Sequence, residues 1–322
     1  MTSEGQTLLE TCSTTRRLPP AVRDGLSSAG SLRAAEEVAA RLTREHYENF
    51  SVISWVLPRH LRQDFCNIYA FCRVADDLSD EVHAPEVSLD LLDRFREQTR
   101  ACYAGENCNA VFTALSGTIQ RHDIPIDPFL DLISAFEQDQ RVRRYETFED
   151  LLGYCRGSAN PVGRLVLYVC GYRDVERQRL SDFTCTALQL TNFWQDVRRD
   201  LADLGRIYLP LESMRRFAVT EQQLHDVRCD DNYRALIRFE VNRAEGMFDE
   251  GEKLLPLLDS SVRPQISLFG RGGRAILQAI RDQNYDTLTH RPVLSRWQKG
   301  RLLLSALMAP LGSRHGNGRA SA

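Results

Sequence analysis

Between Gln189 and Pro210 the chain reads Gln-Leu-Thr-Asn-Phe-Trp-Gln-Asp-Val-Arg-Arg-Asp-Leu-Ala-Asp-Leu-Gly-Arg-Ile-Tyr-Leu-Pro, a segment that few folds can hold. With a helical advance of about 100° per residue, Gln189, Asn192, Asp196 and Asp200 form one polar stripe, while Leu188, Leu190, Phe193, Trp194, Val197 and Leu201 fill most of the remaining circumference. A helix apolar on nearly every side belongs in an interior. Carboxylates and amides taken inside with it are costly unless a cation or a hydrogen-bond donor meets them, and a metal ion is the obvious candidate. Gly205 and Pro210 should end the helix. That leaves Asp196, Asp200 and Asp203 in its last two turns, where the negative end of the dipole disfavours each by roughly 0.3 to 1 kcal/mol. Folding alone does not select this arrangement, although a solvated acidic helix end would account for a lone D-x-x-x-D.

A second copy of the same chemistry shifts the balance. In Tyr69-Ala-Phe-Cys-Arg-Val-Ala-Asp-Asp-Leu-Ser-Asp80, the residues Tyr69, Arg73, Asp76 and Asp80 recur at steps of four, three and four and share one face. Phe65, Ile68, Phe71, Val74 and Leu78 supply apolar surface on the other sides. Two buried helices that both end in acid, about 120 residues apart, are an odd coincidence for a purely structural protein.

The rest of the chain is quieter. A net charge of −3 in 322 residues argues against general nucleic-acid binding, which shows as a basic domain or stripe. No apolar run is long enough to span a bilayer, and the first 30 residues lack the apolar centre of a secretory signal, so a cytoplasmic location is expected. The nine cysteines are scattered without a C-x-x-C pair, as reduced structural thiols would be. The seven histidines show no zinc-ligand spacing.

Helical periodicity recurs with few strand signals, predicting helices over roughly 32–47, 60–82, 86–104, 109–121, 127–144, 147–171, 174–203, 219–226, 231–256, 260–283 and 292–310. The expected fold is all-α: a single domain over 31–311, with flexible tails at 1–30 and 312–322. Inside such a bundle, two facing acidic stripes suit magnesium, which takes oxygen ligands and keeps part of its shell for water or substrate phosphate. A diphosphate bridging such ions becomes a good leaving group, an apolar cavity accommodates an allylic hydrocarbon, and aromatic faces stabilise a carbocation.

The paired patterns Y-x-x-x-R-x-x-D-D-x-x-D (Tyr69 to Asp80) and Q-x-x-N-x-x-x-D-x-x-x-D-x-x-x-x-x-R-x-Y (Gln189 to Tyr208) resemble the two signature motifs of the squalene and phytoene synthase family. The likeness covers about residues 46–300. It implies an isoprenoid synthase-type helical bundle around a central cavity, acting on prenyl diphosphates with more than one Mg2+. By that resemblance Asp76, Asp80, Asp196 and Asp200, with Asn192, hold the metal, and Tyr69 and Asn192 join the four aspartates as catalytic residues. Arg73, Phe50, Gln189, Arg206, Tyr208, Asn160 and Tyr154 are the implied substrate-binding residues. For Phe50, Phe193 and Trp194, ordinary core packing is the better reading.

Three departures bear on the product: Glu48-Asn49-Phe50 where many relatives have Lys-Ser-Phe, Ala159-Asn160-Pro161-Val162-Gly163 where they often have Ala-Gly-x-Val-Gly, and Gly273 where an aromatic commonly precedes Arg-x-Ile-Leu. His46 to Phe50, Asn160 to Gly163 and Asn192 to Asp196 are similar to a bacterial branch, the hydroxysqualene synthases of hopanoid synthesis. These convert presqualene diphosphate and water to hydroxysqualene and diphosphate, and Asn160 could orient that water. The chain has no glycine-rich dinucleotide fingerprint, so NADPH is not expected. Other family members making presqualene diphosphate, squalene or phytoene from two farnesyl or geranylgeranyl diphosphates are the nearest alternative. Chain-elongating prenyl transferases and terpene cyclases differ in motif spacing, and a non-catalytic calcium-binding bundle lacks the calcium loop. The apolar stretch Leu302 to Leu311 beside Arg301 allows peripheral contact at the inner membrane face, with a buried last helix as the plainer reading, and the oligomeric state is open.

Overall fold

A computed structural model describes residues 18–46, 57–82, 84–106 and 109–294. Among these the protein is all-α, with one isolated bridge between Arg144 and Ile207. The helices in chain order are α1 (Pro20–Gly25), α2 (Leu32–His46), α3 (Arg62–Asp80), α4 (Pro85–Tyr103), α5 (Ala110–His122), α6 (Asp127–Asp139), α7 (Phe148–Ser158), α8 (Asn160–Val169), α9 (Val175–Gln195), α10 (Val197–Leu204), α11 (Leu211–Arg216), α12 (Glu221–His225), α13 (Asp231–Glu252) and α14 (Arg263–Asp282).

Two apolar clusters organise them. The first gathers α1 to α6 around Phe71, Phe95, Phe112 and Phe129, all fully buried, with the Phe71 ring 4.9 Å from Phe95 and 4.8 Å from Phe129. The second gathers α7 and α9 to α14 around Trp194, Tyr233 and Phe248. Each such side chain contributes roughly 1.5 to 3 kcal/mol by leaving water. The acidic helix α3 buries Phe71, Val74 and Leu78 in the first cluster, and α9 buries Leu190 and Trp194 in the second. Their polar stripes are thereby left facing the seam between the clusters.

Several boundaries differ from the sequence expectation, among them the helix expected over 127–144, which ends at Asp139. Residues 18–30 are not tail: Leu18, Ala21, Val22 and Leu26 are in the core, and Gly25 lies so close to α3 that an added Cβ would meet Val74 Cγ2 at 2.6 Å. The helix expected over 147–171 is two, because Pro161 lacks an N–H and disfavours helix at the residue before it, so α7 stops and α8 starts afresh with Pro161 in its first turn. The helix expected over 174–203 bends at Asp196 (φ −108°, ψ 16°), where a strap from later in the chain is tied to it. Residues 211–216 form a short helix that was not expected. The segments 292–310 and 312–322 lie beyond the described residues except for 292–294.

Gly163 and Gly273 are places of close approach. A Cβ on Gly163 would collide with Cys185 Sγ and lie 2.6 Å from Ser181 Oγ on α9, and one on Gly273 would collide with the Phe248 ring of α13 and lie 2.8 Å from Leu188 Cδ2. Phe248 therefore fills the room beside Gly273, which explains why this chain carries no aromatic there.

Candidate active site

The acidic ends of α3 and α9–α10 meet at a cavity of about 250 Å³ in the seam. Its lining includes Asp76 and Asp80 from α3, Gln189, Asn192 and Asp196 from α9 and its bend, Asp200 and Leu204 from α10, and Arg206 and Tyr208 just beyond. Tyr154 of α7 and Phe193 complete one wall. All four expected aspartates, both amides, Arg206, Tyr208 and Tyr154 are thus brought together.

Acid dominates the electrostatics. Burial and the neighbouring Asp80 push the Asp76 carboxyl up to about 7, and burial and the neighbouring Asp196 do the same to Asp200, also to about 7. Such mutual disfavour marks a carboxylate array short of positive charge. The local cations are few. Arg206 is buried, donates to Asp80 Oδ1 at 3.0 Å and lies 4.0 Å from Asp139 Oδ2. Burial works against its charge, but Asp139, Tyr208 and Asp80 more than compensate and hold it above the ordinary guanidinium range.

The aromatic wall is tightly built. The Phe193 and Tyr208 rings stack at 3.7 Å with planes 9° apart, and Tyr154 stands 5.9 Å from Tyr208. Burial raises both phenols well above 10, so they remain neutral and able to donate. Phe193 consequently serves packing and cavity lining together, while Trp194 is wholly core, as the packing expectation held.

Other expected residues are placed differently. Arg73 is turned along its own helix, 2.5 Å from Asp77 and 3.7 Å from Asp76, and does not line the cavity. Asp77 is buried against it. Tyr69 is half-buried beside Arg73 and Asp76, with burial raising its hydroxyl to about 12. Asn160 is buried at the start of α8, away from the cavity lining, where its Oδ1 accepts from Thr186 Oγ1 at 2.9 Å. Phe50 lies outside the described residues.

Two residues of the site were not anticipated. Asp139, at the end of α6, lines the cavity, accepts from the Tyr154 hydroxyl at 2.8 Å and is raised to about 7, chiefly by burial. An acid closing an apolar helix is the same signature as the two stripes, so Phe136-Glu-Gln-Asp139 carried a readable signal. Arg291 had none. It arrives on a strap 95 positions later and grips Asp196 through two bonds of 2.5 and 2.9 Å, while Gln195 Nε2 donates to the Pro292 carbonyl at 2.5 Å.

Among the described residues, no three His, Cys, Asp or Glu side chains cluster tightly enough to cage one ion. The donors are all oxygen and come in pairs along each helix. That set fits magnesium, which uses one or two protein carboxylates per ion and leaves its other positions to water and phosphate.

The profile of the squalene/phytoene synthase family matches residues 43–298, a span that contains both acidic helices and the strap. The chain belongs to that family. Among curated relatives of this synthase, the 15-cis-phytoene synthase of Synechococcus elongatus is 32% identical, over 84% of this chain and 91% of that protein. The phytoene synthase of Arthrospira platensis is 31% identical over 82% and 89%. Among solved structures, squalene synthase HpnC from Alicyclobacillus acidocaldarius is 48% identical with a TM-score of 0.76, covering 83% of this chain and 99% of that one. A dehydrosqualene synthase is 26% identical with a TM-score of 0.80, over 86% and 97%. Family members act on prenyl diphosphates, and the all-α architecture agrees with theirs. No helix among the described residues is long and apolar enough to cross a membrane.

Proposed function

We propose that this synthase converts presqualene diphosphate and water to hydroxysqualene and diphosphate in a Mg2+-dependent reaction. The observation that carries the reading is the single cavity on which Asp76 and Asp80 of one helix and Asp196 and Asp200 of another converge beside an aromatic wall. Mg2+ held by these carboxylates, with Asn192 as a further oxygen donor, would supply the charge that stabilises a departing diphosphate.

The chain's own residues do the rest. Arg206, a fixed buried cation at the cavity wall, is placed to bind diphosphate oxygens. The neutral hydroxyls of Tyr154 and Tyr208 are donors that cannot act as bases near neutral pH. The stacked faces of Phe193 and Tyr208 offer negative potential to a carbocation as it rearranges. Arg73 pairs with Asp77 one turn along the same helix and so neutralises a buried carboxylate next to Asp76.

The water-quenched outcome is supported by the likeness of Glu48-Asn49-Phe50 and Asn160-Pro161-Val162-Gly163 to the hydroxysqualene branch. A second reading, condensation of two farnesyl or geranylgeranyl diphosphates head to head, is favoured by the names of the curated relatives, which are phytoene synthases at about 30% identity. The deciding experiment supplies presqualene diphosphate, Mg2+ and no reductant and identifies the product by mass spectrometry. Hydroxysqualene is expected. No turnover there, together with condensation of farnesyl or geranylgeranyl diphosphate, would replace the first reading with the second.

A further inference from the structure

Among the described residues five carboxylates line the acidic cavity, and the metal set takes four of them. The fifth, Asp139, comes from a separate helix. As the last residue of α6 it meets Tyr154 and Ser158 of α7 on the same side of the cavity. Arg206 stands between it and the metal set, bonded to Asp80 and 4.0 Å from Asp139 Oδ2.

Asp139 is held at one oxygen. Oδ2 accepts from the Tyr154 hydroxyl at 2.8 Å, while Oδ1 is buried without a hydrogen bond among the described residues. A carboxylate taken out of water and satisfied at one oxygen gains from accepting a proton, and burial accordingly pushes Asp139 up to about 7. A group there can take a proton near neutrality and give it back.

Tyr154 joins this carboxylate to the reacting region. Its hydroxyl donates to Asp139 and keeps oxygen lone pairs for a donor in the cavity. The half-buried Ser158, one turn on, donates to the Tyr154 carbonyl at 3.1 Å and likewise keeps acceptor capacity. Both residues line the cavity, and the Tyr154 ring stands 6.1 Å from Phe193 and 5.9 Å from Tyr208, the two faces offered to a carbocation. Two hydroxyl acceptors beside an aromatic wall make a seat for a water molecule. Asn160, whose amide oxygen is taken by Thr186 away from the cavity lining, offers none.

We propose that Asp139, acting through Tyr154, takes the proton of the water molecule that quenches the carbocation. This rests on the reaction proposed above, since it concerns the water which that reaction consumes. As the water oxygen forms its bond to carbon, one of its O–H bonds breaks toward the Tyr154 oxygen and the Tyr154 O–H bond breaks toward Asp139 Oδ2. The carboxylate ends as a neutral acid and the phenol is unchanged. Tyr154 is no base by itself, and the concerted transfer never requires its phenolate, which burial disfavours. The proton then leaves to solvent, and nothing is oxidised or reduced.

The test is the amount of hydroxysqualene formed per diphosphate released, measured with presqualene diphosphate and Mg2+ for the parent, Asp139→Asn, Tyr154→Phe and the double variant. Asparagine still offers an acceptor to the Tyr154 hydroxyl but cannot hold the proton. In Asp139→Asn the ratio should fall roughly tenfold, less than the full contribution of a positioned base because the departing diphosphate can take the proton instead. Hydrocarbons formed by loss of a carbon-bound proton should make up the difference. Tyr154→Phe should lower the ratio as much, and the double variant no further, because the two residues form one path. If Asp139 serves only folding or the placement of Arg206, both quantities fall together and the ratio is unchanged. That result, additive losses in the double variant, or complete loss of diphosphate release in Asp139→Asn would each overturn the proposal. No alcohol from the parent would overturn the proposed reaction and this assignment with it, whereas alcohol from the parent with an unchanged ratio in the variant would sink the assignment alone.

Discussion

Replacing Asp200 with Asn should stabilise the metal-free protein while destroying its activity. Burial and the adjacent Asp196 raise the Asp200 carboxyl from 3.8 to about 7, so the folded state holds a proton that the unfolded state has released. By linkage, the contribution is neutral below about pH 4, grows more unfavourable as pH rises toward 7, and is constant above that. A shift of about three units at 1.36 kcal/mol each sets a ceiling of about 4 kcal/mol. Solvent screening and sharing of the repulsion with Asp196 reduce this to about 1 to 2 kcal/mol. Urea denaturation of Asp200→Asn and its parent at pH 5 and pH 8, without divalent metal, measures the effect. The variant should be the more stable at pH 8 by that amount, and the gap should narrow at pH 5. Adding Mg2+ should stabilise the parent and barely change the variant. A variant less stable than its parent at pH 8, or a gap independent of pH, would refute the reasoning, since it would mean that an attractive partner rather than repulsion governs Asp200.

Asp76→Asn should abolish Mg2+-dependent diphosphate release while leaving the far-ultraviolet circular dichroism intact. Gly163→Ala should cost about 1 to 3 kcal/mol in urea denaturation, because the new methyl collides with Cys185 Sγ and Ser181 Oγ across the α8–α9 contact. Asp64, buried between α3 and α5, accepts from Thr118 at 2.8 Å, Arg121 at 2.6 Å and His122 at 3.0 Å; although burial opposes it, these bonds hold its carboxyl below 3.8. Its stabilisation is therefore present above about pH 4 and lost as pH falls further, so Asp64→Asn should cost about 2 kcal/mol at pH 7 and progressively less in acid. Asn160→Gly leaves the Thr186 hydroxyl without its acceptor, and because Asn160 stands away from the cavity lining the variant should lose stability in urea denaturation while the alcohol yield from presqualene diphosphate is unchanged; a fall in that yield would restore a water-orienting role.

The two acidic stripes could be read before any coordinates because a helix has a fixed angular step. Gln189, Asn192 and the following Asp196 must fall on one side of their helix wherever it goes, and so must Asp76 and Asp80, whereas Asp200 joins them across the bend. The apolar residues around them, such as Phe71, Leu78 and Trp194, dictated burial for the same local reason. Helix breaks were less legible. Pro161 carried its own signal, but the bend at Asp196 depends on where the strap of Arg291 and Pro292 is tied. The core role of residues 18–26 was hidden as well, since Ala21, Val22 and Leu26 are too short a run to show periodicity and are buried by α2, α3 and α5, which pack against them.

Sequence by itself determined that this protein is helical, that two of its helices carry carboxylates inward, and that the residues between the stripes supply apolar cover, because each of these follows from contacts within a few positions along the chain. The tertiary structure alone decided that Asp139 stands beside Tyr154 and Arg206, that Arg73 turns to Asp77 and away from the cavity, and that Arg291 returns to Asp196. Those pairings join positions up to 95 residues apart or choose among rival local acids, and packing of whole helices, with the charge each brings, selects them.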